Sequence, residues 1–155
     1  MPVESISCAL TKALPDAAAT AALGAALAGL ARAGDALLLS GPLGAGKTTL
    51  ARAFLVAASG DADLVVPSPS YTLVQSYATR LGIVHHFDLW RLDGPAGLAE
   101  LGWDEALADI VLLEWPERLG AARPEWALEI ALVITGEESR EALLRGWPER
   151  LGRLA

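Results

Sequence analysis

The run Gly41-Pro42-Leu43-Gly44-Ala45-Gly46-Lys47-Thr48 follows a short apolar segment, Ala36–Ser40, and leads into helix-forming sequence over Thr48–Ala58. It fits the pattern G-x-x-x-x-G-K-[ST] in full. Strand, glycine-rich turn and helix is the order in which backbone amides and the positive end of a helix can face a phosphate. Within such a loop the glycines permit the turn, Lys47 reaches the β- and γ-phosphates, and the Thr48 hydroxyl ligates Mg²⁺. The nucleotide-binding set read from the pattern is Gly41, Pro42, Leu43, Gly44, Ala45, Gly46, Lys47, Thr48 and the adjacent Thr49, with ATP and Mg²⁺ as cofactors.

A loop of this kind places the chain in the α/β class, as a P-loop NTPase-like three-layer sandwich with a central mixed or mostly parallel sheet. The 155 residues suit a single domain, 1–155, with one continuous core. Hydrophobic residues make up 53% of the chain, but many are alanine, so Leu, Ile, Val and the few aromatics must supply the packing. Asp16 is placed to cap a helix over roughly 17–32, in which Leu23, Leu27 and Leu30 form one apolar stripe. Short strands are predicted at Leu64–Val66, Thr72–Ser76, Ile83–Phe87, Ile110–Leu113 and Trp126–Ile134, with helix or loop over Gly94–Ala108. A last helix is expected at about 138–146, followed by an Arg-containing tail; the segment from about 135 is a candidate partner contact.

Composition narrows the function classes. The formal net charge of −7 gives no basis for autonomous tight nucleic-acid binding. Cys8 is the single cysteine, so no internal disulfide forms. Residues 1–10 lack the basic start and long apolar run of a signal peptide, and the alanine-rich run 17–31 is broken by Gly24 and Gly29 before Arg32 and Asp35. A cytoplasmic protein without a membrane anchor is expected. GTPases usually read guanine with an Asn-Lys-x-Asp element; this chain contains no Asn, which favours ATP.

A phosphate loop needs acids that position a metal or a water. Glu114 follows the apolar run Ile110–Leu113 and would emerge at the strand end, as Asp88 would after Ile83–Phe87. Thr48, Glu114 and Asp88 are the predicted metal-side groups, and Lys47, Glu114 and Asp88 the predicted catalytic ones. Asp109 precedes its strand and belongs at the opposite end. His85 and His86 point to opposite faces of a strand and cannot readily grip one ion; His86 shares its parity with Asp88. The Pro67–Thr72 segment reads either as a hydroxyl-bearing loop sensing the γ-phosphate or as a surface turn. Arg91 and Arg118 are candidates for stabilising phosphate charge or for surface ion pairs.

Four stretches in order then resemble one family: GPLGAGKTT at 41–49, PSPSYTLVQSY at 67–77, HFDLWR at 86–91 and VLLEWPE at 111–117. The chain resembles the bacterial tRNA threonylcarbamoyladenosine biosynthesis ATPases called TsaE, formerly YjeE, over roughly 37–118. The resemblance implies an ATPase that joins a two-protein assembly making N6-threonylcarbamoyladenosine at position 37 of certain tRNAs. It would support turnover of that assembly without installing the modification itself, and tRNA contact would be indirect or shared with the partners. It further implies Glu114 as the Walker-B-like acid, Asp88 as a metal-side acid or water organiser, and Ser68–Thr72 as a switch-like loop. Ser70 stands where the family pattern commonly has Thr, keeping the hydroxyl but losing a methyl; Trp90 replaces the usual Tyr, so no phenolic hydrogen bond carries over. A small-molecule phosphotransferase and a noncatalytic nucleotide switch share the phosphate loop, but the chain shows no convincing acceptor signature.

Overall fold

The computed structural model describes residues 9–154. Cys8 and most of the segment read for a signal peptide lie outside the described residues. Among the described residues, seven strands form one sheet: β1 (Ala9–Leu14), β2 (Ala36–Ser40), β3 (Val74–Thr79), β4 (Gly82–Asp88), β5 (Ile110–Glu114), β6 (Leu128–Ile134) and β7 (Arg140–Arg145). Their order across the sheet is β1-β7-β6-β2-β5-β4-β3. The four central strands, β6, β2, β5 and β4, run parallel, while β7, β1 and β3 pair antiparallel at the two sides. The sheet is therefore mixed, as the sequence allowed.

The two innermost strands, β2 and β5, are almost wholly apolar because both of their faces are covered. In β2, Leu37 and Leu39 face a cluster built with α1 (Ala17–Ala28) and α2 (Lys47–Ser59), including Leu27, Leu50, Phe54 and Leu55. Ala36 and Leu38 face the other way, into a cluster with Phe87, Val111, Leu113, Leu98, Trp103 and Leu119. That second face is covered by 3₁₀ turns at Pro95–Gly97, Ala99–Leu101 and Pro116–Ala122 and by the short α3 (Trp103–Ala106). Phe87 meets Trp103 edge to face, with ring centroids 5.4 Å apart.

Asp16 caps α1 as its sequence position predicts, its carboxylate accepting from the Ala19 amide at 2.9 Å. The helix closes at Ala28 with Gly29 as its C-cap, short of the expected residue 32. Leu64–Val66 is not a strand. The Val66 carbonyl accepts from Arg52 Nε at 2.7 Å, and Pro67 follows without an amide to extend a ladder. The helix expected at about 138–146 is also corrected, since Arg140–Arg145 form β7, hydrogen-bonded to β1 on one side and β6 on the other. Ala142 and Leu144 are buried while Leu143 is exposed, a two-residue period that pairing on both sides imposes on helix-favouring residues. Strand β1 had no counterpart in the sequence reading. No helix among the described residues is long and apolar enough to cross a membrane.

Candidate functional site

The parallel register sets β4 and β5 side by side so that Asp88 and Glu114, the last residues of each, are cross-strand partners. Beside them the chain leaves β2 at Ser40 and turns through Gly41–Gly46 into α2. Gly41 adopts φ +141°, and a Cβ there would lie 2.6 Å from the Leu132 carbonyl oxygen of β6, so the turn requires glycine at this point. The helix opens with Gly46 as its N-cap and no side-chain capping bond; its first hydrogen bond runs from the Leu50 amide to Gly46 O at 2.9 Å. The amides of Lys47, Thr48 and Thr49 are the orphan donors of that terminus, and all three residues line a cleft.

The cleft measures about 510 Å³ and brings together Lys47, Thr48, Asp88 and Glu114. Leu43, Gly44, Gly46 and Thr49 of the predicted binding set also line it, whereas Gly41, Pro42 and Ala45 do not. Lys47 is only 5% exposed. Its ammonium donates to Gly41 O at 2.5 Å and Pro42 O at 3.0 Å, and lies 4.1 Å from the centre of the Trp115 ring. Burial lowers the Lys47 pKa below the ordinary lysine value, and the carboxylates of Glu114, Glu117 and Asp88 oppose that shift. Trp115 sits immediately beyond β5 at φ +63° and packs on Trp90 with ring centroids 4.5 Å apart.

Both carboxylates are buried and held. Glu114 accepts from the Thr48 hydroxyl through Oε1 at 3.0 Å, and its Oε2 lies 2.7 Å from His86 Nε2. Asp88 accepts from the Trp90 amide at 3.0 Å through Oδ1 and from the Ser70 and Ser68 hydroxyls at 3.2 and 3.5 Å through Oδ2. The Ser68–Ser70 segment is thus anchored to an acid at the cleft. Arg91 lines the cleft and stacks its guanidinium 4.6 Å from the Tyr71 ring centre, while Arg118 is exposed away from it. Asp109 lies at the far end of β5, where it meets His85 at 2.9 Å.

Among the described residues, no group of three or more His, Cys, Asp or Glu forms a metal cage. A hydroxyl at Thr48 with carboxylates at Glu114 and Asp88 is instead the partial oxygen set that suits Mg²⁺ when phosphate and water complete it. The donors also match an anion: one ammonium and a helix N-terminus with unpaired amides. Sequence reasoning missed the direct bond between His86 and Glu114, because strand parity aligns His86 with a neighbouring strand only once the sheet order is known. It also missed the Trp90–Trp115–Lys47 stack, which a left-handed backbone at Trp115 creates.

A family model described as threonylcarbamoyl adenosine biosynthesis protein TsaE matches residues 14–142. The chain belongs to the TsaE family. That stretch contains Lys47, Thr48, Asp88 and Glu114 together. A tRNA threonylcarbamoyladenosine biosynthesis protein TsaE from Rickettsia felis is 36% identical over 107 residues, covering 68% of this chain. The aligned part spans 62% of that relative, less than two thirds of its length. The TsaE of a Nostoc species is 35% identical over 134 residues, covering 83% of this chain and 81% of its own. The crystal structure of Bacillus subtilis YdiB superimposes with a TM-score of 0.75 at 26% identity, over 97% of this chain and 94% of that one.

Proposed function

We propose that this member of the TsaE family is a P-loop ATPase with the three-layer NTPase sandwich, which binds ATP·Mg²⁺ in the cleft and hydrolyses it. Its turnover supports a cytoplasmic two-protein assembly that makes N6-threonylcarbamoyladenosine at tRNA position 37, a role drawn from the family name and the motif resemblance. The observation that carries the nucleotide reading is the convergence of Lys47, Thr48, Asp88 and Glu114 on one cleft from α2, β4 and β5.

Lys47 and the amides at the start of α2 hold the β- and γ-phosphates, and Thr48, Glu114 and Asp88 hold the metal side. Mg²⁺, when bound, supplies charge neutralisation at the phosphate oxygens. Water attacks the γ-phosphorus in line and passes a proton to an oxygen of the transferred phosphate, the bond to the β–γ bridging oxygen breaks, and ADP leaves with the electron pair. A carboxylate of the Glu114 and Asp88 pair orients the water, and Lys47 offsets charge on the departing oxygen. His86 and Thr48 fix Glu114 beforehand, so little reorganisation is required at the moment of reaction.

The test is titration calorimetry with ATP and Mg²⁺, followed by phosphate release measured alone and with the two candidate partners. Nucleotide uptake with partner-stimulated release is expected. No uptake in either setting overturns the reading, and phosphate transfer to an added small acceptor would favour a kinase.

A further inference from the structure

Arg140, the first residue of β7, places one guanidinium against four main-chain carbonyls. Nε and Nη2 donate to Gly44 O at 3.3 and 3.0 Å. Nη1 donates to Ser139 O at 2.7 Å, Gly136 O at 3.0 Å and Glu137 O at 3.4 Å. A rigid planar fork therefore joins the turn between β6 and β7 to the middle of the Gly41–Thr48 loop.

The direction of this grip matters. Arg140 and Glu138, with Ala17 and Thr20, line a side recess of about 100 Å³ on Gly44–Gly46. Arg140 is not part of the large cleft, and Gly44 borders both spaces. The Gly44 carbonyl thus points to the recess side. Gly44 has φ +81° and open space where a Cβ would lie, so nothing in its own side chain fixes the adjoining peptides. A carbonyl turned into the cleft would set its negative end against phosphate oxygens.

We propose that Arg140 is a positioning residue for the phosphate loop. It pins the Gly44 carbonyl out of the cleft, so that an incoming triphosphate meets amides and the Lys47 ammonium rather than a carbonyl dipole. The inference rests on the reading of the cleft as a triphosphate site. It predicts an effect on nucleotide affinity and KM, with kcat little changed, because Arg140 touches neither Glu114 nor Asp88.

The experiment compares wild type with Arg140→Gln and Arg140→Lys by ATP calorimetry, steady-state turnover and thermal melting of the full chain. Arg140→Gln is expected to weaken ATP binding on the order of tenfold, and Arg140→Lys to recover part of that loss through a single point contact. If Arg140→Gln does not fold, the Lys variant carries the test, with weakened binding expected. A folded Arg140→Gln that binds ATP within about twofold of wild type overturns the proposal, as does an Arg140→Lys as tight as wild type, which would assign the effect to charge alone. Failure of the wild-type chain itself to bind ATP overturns the nucleotide reading instead.

Discussion

The imidazole of His86 meets the carboxylate of Glu114 at 2.7 Å, with both residues withdrawn from solvent. Glu114 shares its other oxygen with Thr48, so one acid links β4, β5 and α2. Replacing the imidazole leaves a buried carboxylate oxygen without its donor and opens a cavity. His86→Ala should lower stability by about 2–4 kcal/mol in urea unfolding. An unfolding midpoint equal to wild type would show that the contact holds nothing in place.

Glu114→Gln keeps the shape of the side chain and removes its charge. ATP turnover in the presence of partners should fall on the order of 100-fold, while calorimetric ATP affinity changes far less. Undiminished phosphate release in that variant would assign the water-orienting role to Asp88.

Lys47 gives a pH signature. Its folded pKa is lowered by burial, so between that value and the ordinary lysine value the unfolded chain binds more protons than the folded one. The penalty is fully present below the lowered pKa and is relieved as pH rises through it. The stability of wild type relative to Lys47→Met should therefore increase as pH rises through the lowered pKa towards 10.5, the ordinary lysine value. Paired denaturant titrations across that range check the slope; a flat or falling difference contradicts it. ATP affinity should run the other way, weakening as the ammonium deprotonates.

Arg150 anchors the C-terminal end of the chain. It donates to both oxygens of Asp35 at 2.6 and 2.9 Å and to the Leu30 carbonyl at 2.8 Å, and its guanidinium lies 4.0 Å from the centre of the Trp147 ring. Asp35 is buried, so removing the arginine strands a charge. Arg150→Ala should destabilise the fold by roughly 2–3 kcal/mol, read as a lower melting temperature, with ATP affinity of the folded protein unchanged. A parallel loss of affinity would mean that the two ends of the sheet are coupled.

Much of the cleft was legible because local chemistry dictates it. The strand β2, the turn and α2 are adjacent in sequence, and Gly41, Gly46, Lys47 and Thr48 each have a backbone, charge or hydroxyl reason for their place. Glu114 stands out because the buried strand before it is apolar along its whole length, and Asp88 because it closes the strand candidate Ile83–Phe87. The contact of Arg140 with Gly44 was hidden because its segment is rich in Glu, Ala, Leu and Arg, which favour a helix in isolation. Leu64–Val66 failed in the opposite direction: three apolar residues suit a strand, yet an arginine side chain takes the Val66 carbonyl.

The sequence by itself determined the phosphate-loop pattern, the capped first helix and the buried central strands, all of which depend on neighbours a few residues apart. Tertiary structure alone decided that Asp88 and Glu114 lie in register, that His86 holds one of them, and that β7 enters the sheet between β1 and β6. All but the β6–β7 pairing join residues more than twenty positions apart. Their hydrogen bonds and apolar burial outweigh local helix preferences that amount to only a few tenths of a kcal/mol per residue.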